Sequence, residues 1–190
     1  MARRRLLIAR HGETEWNAIG RLQGHTDVPL NDRGRNQASE LAVTLEVAGI
    51  ACVITSDLSR ARETGTIIAA RLGLAPPRVI PELRERRFGV FEGLTRDECM
   101  SRFPDAWAAY HARTGVPEGG EPVADAIARM HAALDALMSE GGEPALVISH
   151  GGLMRLWLGV VIGDAIPPLP NGATYIVEHD GSRFIARDFR

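Results

Sequence analysis

The sequence predicts an α/β fold built on a parallel sheet. Three observations carry that expectation: short apolar runs that read as buried strands, stretches at helical spacing between them, and a polar cluster closing each run. Residues 5–9, R-L-L-I-A, read as the first strand. P-L-N-D-R-G then starts a helix, with Asn31 as N-cap and Leu30 ahead of it. Ala38, Leu41, Ala42, Leu45 and Ala48 follow at helical spacing, and Gly49 is a natural stop. I-A-C-V-I-T, residues 50–55, reads as a second buried strand that takes Cys52 inside. A second helix places Ala61, Gly65, Ile68, Ala69 and Leu72 on one face and ends at Gly73.

Beyond Pro76-Pro77 the pattern weakens. Residues 78–93 are densely charged and give no clear period. Residues 95–113 predict one or two short helices broken near Pro104, and 115–122 a loop. Val123, Ile127, Met130, Leu134, Leu137 and Met138 step by four and three, an amphipathic helix. A-L-V-I-S, residues 145–149, is a third buried strand, and an apolar helix follows it. Residues 173–178 and 183–188 predict a closing hairpin around Asp180-Gly181.

At 190 residues the chain fits one domain, 1–190, with room for a full core. A net charge of −2 creates no field that would draw nucleic acid or an acidic membrane, so any anion site must be local. Two cysteines, Cys52 and Cys99, make no disulfide framework. The N-terminal apolar run is too short for a signal core, and no stretch has the length of a membrane span. The expectation is a cytoplasmic protein.

Each buried strand ends in groups that can do chemistry. The first gives Arg10-His11-Gly12, the second Ser56-Asp57 with Arg60 in the next turn, the third Ser149-His150-Gly151-Gly152. Ligands of open parallel sheets bind at the carboxyl ends of strands, so neighbouring strands would bring two histidines and two arginines together. Taken alone, Arg60 also fits a solvated arginine paired with Asp57 or Glu63. Against that, a cation in a helix's first turn is unfavourable by ~0.3–1 kcal/mol unless an anion sits there. Guanidinium forks match phosphate oxygens, and a neutral imidazole can attack phosphorus. The glycine after each histidine would let the backbone approach a ligand and offer its N–H.

Arg10-His11-Gly12-Glu13-Thr14 resembles the signature of the histidine phosphatase superfamily, the phosphoglycerate mutase-like proteins. The resemblance extends through G-R-L-Q-G at 20–24, T-S-D-L-S-R-A at 55–61, E-R-R-F-G-V-F-E-G at 85–93 and S-H-G-G at 149–152. It implies a three-layer α/β sandwich with a largely parallel central sheet, and it implies no cofactor and no metal. It makes His11 the phosphorylated nucleophile. Arg10, Arg60 and His150 would clamp the phosphoryl oxygens. Glu85 would be general acid and then base, and Asn17, Gln23, Gly24 and Gly151 would lie around the substrate. Glu85 heads E-R-R-F-G, but Glu82 and Glu92 are close by. Arg84, Arg86 and Arg87 flank it, and adjacent cations favour an ionised carboxylate, so this role needs those arginines to face away.

The short span between Glu85 and His150 resembles the phosphatase branch, including the alpha-ribazole phosphatase-like enzymes. That implies hydrolysis of a small phosphorylated metabolite. The alternatives are a cofactor-dependent phosphoglycerate mutase and a module that binds a phospho-ligand without turnover. His25 could line the pocket, while Trp107 and Tyr110 read as packing. Residues 95–120 are candidates for a lid. The exposed face of the closing hairpin leaves a homodimer open.

Overall fold

A computed structural model describes residues 4–189, and the basic start of the chain, residues 1–3, lies outside it. Six strands form one sheet: β1 (Leu6–Arg10), β2 (Cys52–Thr55), β3 (Arg78–Val79), β4 (Ala145–Ser149), β5 (Thr174–His179) and β6 (Phe184–Asp188). Their spatial order is β3-β2-β4-β1-β5-β6. The first four are mutually parallel, and the β5–β6 hairpin adds antiparallel beside β1. β1 and β2 are consecutive in the chain, yet β4 lies between them, so all three carboxyl ends meet.

The strands alternate in the faces they present, as a pleat requires. Leu6, Ile8, Ile54, Ala145 and Val147 pack one way, against α6 (Val123–Ser139) and α7 (Gly151–Ile162). Leu7, Ala9, Val53, Leu146 and Ile148 pack the other way, against α2 (Asp32–Leu45) and α3 (Ser59–Arg71). The result is the three-layer α/β sandwich with a mostly parallel centre.

The local signals act as the sequence implies. Asn31 Oδ1 accepts from Gly34 N at 2.8 Å and caps α2. Gly49 closes the following 3₁₀ turn with φ +63°. Pro104 opens α5 (Pro104–His111) directly after α4 (Arg96–Arg102). Cys52 is a correction: it stands at the start of β2 and is only partly buried, because the strand begins two residues later than the apolar run. Both cysteines are free.

A third, smaller apolar cluster stands apart from the sheet. Phe88, Phe91, Cys99 and Trp107 are its buried members, with Leu22, Phe103 and Tyr110 against them. It ties α4, α5 and the segment after Glu85 into a cap over the carboxyl edge of the sheet. Residues 78–93 contain little regular structure: β3 and two 3₁₀ turns, Pro81–Leu83 and Gly89–Phe91. Long-range bonds hold this stretch instead. Arg129 on α6 donates to the carbonyls of Glu82, Arg84 and Glu85.

Candidate active site

The register of the sheet builds the site. Arg10 pairs with Ser149 across β1 and β4, and Thr55 pairs with Ile148 across β2 and β4. The next residues, His11, His150 and Ser56, therefore leave the sheet side by side. The two imidazoles stand 5.1 Å apart, about one interstrand spacing.

His11 is fixed at several points. Its N–H donates to Ser149 O at 3.1 Å, and its carbonyl accepts from Asn171 Nδ2 at 3.0 Å. Its Nδ1 lies 2.6 Å from Gly12 O. A carbonyl can only accept, so Nδ1 carries the proton and Nε2 keeps a lone pair. Burial pushes the His11 pKa well below the usual imidazole value, with Arg60 and then Arg10 adding repulsion. The ring is neutral at physiological pH.

Gly12 serves a different purpose from the one its position suggests. Its N–H donates to Thr64 Oγ1 at 3.0 Å rather than facing a ligand. A Cβ there would stand 2.4 Å from Gly34 O, so the glycine lets the chain pass the start of α2.

Arg60 is buried, 1% exposed, and neither paired with Asp57 nor with Glu63. Asp57 engages Arg84, and Glu63 engages Arg35. Arg60 instead donates Nη2 to Gly24 O at 2.8 Å, Nη1 to Thr26 O at 3.0 Å and Nε to His150 Nδ1 at 3.2 Å. Burial pushes its pKa down to about 10, so it stays charged at neutral pH. Arg10 donates to Leu169 O, and its Nε is buried without a partner.

His150 is fully buried and lies behind the pocket wall rather than on it. Because Nδ1 accepts from Arg60, the ring proton is on Nε2, which donates to Ser56 Oγ at 2.7 Å. Burial, then Arg60, His11 and Arg10, pushes its pKa well below the ordinary value.

Glu85 faces the same pocket, and three backbone N–H groups hold its carboxylate. Arg86 N and Leu153 N donate to Oε1 at 2.8 and 2.7 Å, and Gly152 N to Oε2 at 2.8 Å. The flanking arginines point elsewhere: Arg84 to Asp57, and Arg86 over the Tyr110 ring at 4.7 Å. Gly151 and Gly152 permit the close approach. A Cβ at Gly151 would meet Arg10 Cδ at 2.9 Å, and one at Gly152 would meet Glu85 Oε1 at 2.8 Å.

These groups surround a cleft of about 270 Å³ whose wall includes Arg10, His11, Arg60, Glu85, Gly151 and Gly152. Asn17, Gln23 and Gly24 also line it. Asn17 Oδ1 accepts from Thr14 N in the capping box of the short helix α1 (Glu15–Ala18), which leaves its NH₂ for a ligand. Gln23 Oε1 is buried without a partner. His25 does not line the cleft. Its Nε2 donates to Glu85 O at 2.9 Å, an anchoring role.

Sequence reading missed Tyr110, Phe88 and Arg155 as residues facing the cleft, and it placed Ser56 at a strand end without the role it has in fixing the His150 tautomer. Arg155 had a local signal, since it follows Gly151 by one helical turn. Tyr110 had none, because only the cap brings α5 to the sheet edge. Among the described residues, no three His, Cys, Asp or Glu side chains cluster so as to hold a metal ion. No described helix is long and apolar enough to cross a membrane.

Two guanidinium groups, a neutral imidazole with a free lone pair and a carboxylate, gathered at strand carboxyl ends, are chemically suited to hold a phosphoryl group. Comparison with known proteins agrees. Residues 6–189 match the histidine phosphatase superfamily (branch 1), and the chain belongs to that family. Phosphoglycerate mutase-like protein 4 of Arabidopsis thaliana is 41% identical over 155 residues, covering 79% of this chain and 67% of that one. The metal-independent phosphoserine phosphatase of the same plant is 32% identical over 187 residues, covering 95% and 78%. Among solved structures, mycobacterial glucosyl-3-phosphoglycerate phosphatase, complexed with VO3, superposes with a TM-score of 0.87. It shares 29% identity, and 98% of each chain is covered.

Proposed function

We propose that this protein is a metal-independent phosphomonoester hydrolase that acts on a small phosphorylated metabolite through a phosphohistidine on His11. The observation that carries this reading is the His11 tautomer. With Nδ1 bound to Gly12 O, the Nε2 lone pair is free in a cleft walled by Arg10 and Arg60.

In the first step Nε2 forms the N–P bond as the ester P–O bond breaks. The leaving oxygen takes a proton from the Glu85 carboxyl group. In the second step a water oxygen forms the new P–O bond as N–P breaks, and Glu85 takes the proton from that water. Arg10 and Arg60 hold the equatorial oxygens, where charge is spread in the transition state. His150 acts from behind, orienting Arg60 through Nδ1 while Ser56 holds its other nitrogen. The phosphatase names among the relatives support the reaction class, and the metal-independent relative supports catalysis without an ion. Leu22, Phe88 and Tyr110 add apolar and aromatic surface to the cleft, suited to the carbon skeleton of a leaving alcohol.

A second reading, a cofactor-dependent mutase, has the phosphoglycerate mutase-like relatives in its favour. The test is phosphate release from a panel of phosphomonoesters in EDTA, for wild type and His11→Ala. Release by the wild type that the variant loses supports the hydrolase. Turnover that appears only after priming with 2,3-bisphosphoglycerate supports the mutase and overturns hydrolysis as the main reaction.

A further inference from the structure

Beside the Nε bond to His150 Nδ1, Arg60 is aimed by two carbonyls, those of Gly24 and Thr26. No carboxylate lies within ion-pair distance of its guanidinium among the described residues, and four of its five N–H donors are on the nitrogens facing Gly24 O and Thr26 O. The orientation of the fork therefore depends on the conformation of residues 23–26. That loop belongs to no helix or strand; its one internal tie is a turn in which Thr26 N donates to Gln23 O at 3.0 Å.

One side chain anchors it from outside. Glu92 follows the 3₁₀ turn Gly89–Phe91, and its carboxylate accepts four hydrogen bonds. Oε1 takes His25 N and Phe88 N, each at 3.0 Å. Oε2 takes Thr26 N at 2.9 Å and Thr26 Oγ1 at 2.7 Å. A carboxylate has about four lone-pair sites, so all are in use. Gly24 is shaped around it: φ is +54°, and a Cβ there would stand 2.2 Å from Glu92 Oε1. The same four bonds join the loop to the chain that carries Glu85, since Phe88 lies three residues after it. Glu92 is also among the acids that sustain the Arg60 charge against burial.

We propose that Glu92 is a positioning residue for Arg60 in addition to His150: its carboxylate fixes the 23–26 loop, whose carbonyls turn the guanidinium toward the phosphoryl group. This rests on the phosphohydrolase reading. Glutamine at 92 keeps the shape but turns an NH₂ toward N–H donors, so the loop must shift. A displacement of about 1 Å at a catalytic group can cost 100-fold.

The experiment measures vanadate inhibition and p-nitrophenyl phosphate hydrolysis in wild type, Glu92→Gln, Arg60→Lys and the double variant, with a thermal midpoint for each. Glu92→Gln should weaken vanadate about 10- to 100-fold while folded. In the Arg60→Lys background the same change should cost no more than about twofold, because both act through one fork. A purely structural role would lower the midpoint and leave the two vanadate effects additive. If Glu92→Gln does not fold, Thr26→Val carries the same test: its vanadate defect should disappear in the Arg60→Lys background. Wild-type vanadate inhibition in the Glu92→Gln or substitute variant, or a defect that persists undiminished beside Arg60→Lys, overturns the proposal. A wild type that neither hydrolyses the ester nor binds vanadate overturns the phosphohydrolase reading itself.

Discussion

The floor of the cleft and its cap are built on different principles. The floor consists of strand ends and the first turn of α3. His11, Arg60, His150 and Ser149 are all 3% exposed or less, and the side chain of each is hydrogen-bonded. The cap is a separate aromatic cluster, in which Phe91, Trp107 and Tyr110 pack edge-on and stacked, with Arg86 laid over Tyr110. A phosphoryl group is the same in every phosphomonoester, so its partners can be fixed by the register of a sheet. On the proposed function the leaving alcohol varies, and the surface that would meet it belongs to a unit with its own small core. That division teaches which changes should affect all substrates alike and which should re-rank them.

The strongest way to break this contrast is His11→Ala. On the proposed mechanism it removes covalent labelling and lowers turnover of every ester by at least about 10⁴-fold. Near-normal release in EDTA would end the phosphohistidine reading. Glu85→Gln should slow phosphoryl transfer to His11 from alkyl phosphates by about 10²–10⁴-fold in single-turnover measurements, with a much smaller loss in the p-nitrophenol burst from p-nitrophenyl phosphate, whose leaving group needs no proton. Equal losses on both would remove Glu85 as the acid. Arg60→Lys should cost about 10²–10³-fold across the panel, because a point charge cannot copy the fork. A loss confined to one substrate would move Arg60 from the floor to the specificity surface.

The cap should respond differently. Tyr110→Ala should change the ratio of kcat/KM between two alcohols by about 10- to 100-fold while p-nitrophenyl phosphate turnover changes less. A uniform loss across the panel would show that cap and floor act as one.

The smallest effect concerns pH. His11 and His150 have folded pKa values well below 6.5, for burial first. The unfolded chain therefore binds protons that the folded chain refuses as pH falls below 6.5. The stability that neutral histidines contribute is complete above that value and is lost as pH falls toward the folded pKa values. The thermal midpoint of the wild type should fall between pH 7 and 5, with a shallower slope in His11→Ala. A slope unchanged by the substitution would count against a neutral, buried His11.

Much of the floor was legible because its signals are local. An apolar run followed by Arg10-His11-Gly12 or Ser149-His150-Gly151 marks a strand end whatever surrounds it. Asn31 and Gly49 mark helix ends by the same local chemistry. The roles of particular glycines were not legible. Gly12 makes room for Gly34, and Gly152 for the Glu85 carboxylate, and both contacts cross long stretches of chain. Residues 78–93 gave no period because Arg129 and Glu92 hold them, not a repeating hydrogen-bond pattern. Tyr110 read as packing, which is half of its situation: it packs in the cap and also faces the cleft.

By itself the sequence determined the alternation of strands and helices, the chemistry at three strand ends and the family they resemble, because apolar spacing, caps and short motifs are properties of neighbouring residues. Only the tertiary structure decided that β4 lies between β1 and β2, which puts His11 beside His150. It also decided that His150 stands behind the wall, bonded to Arg60 and Ser56, and that Glu92 reaches the loop that aims Arg60. Those outcomes depend on register and on which buried donors find which acceptors, and neither is fixed until the layers have packed.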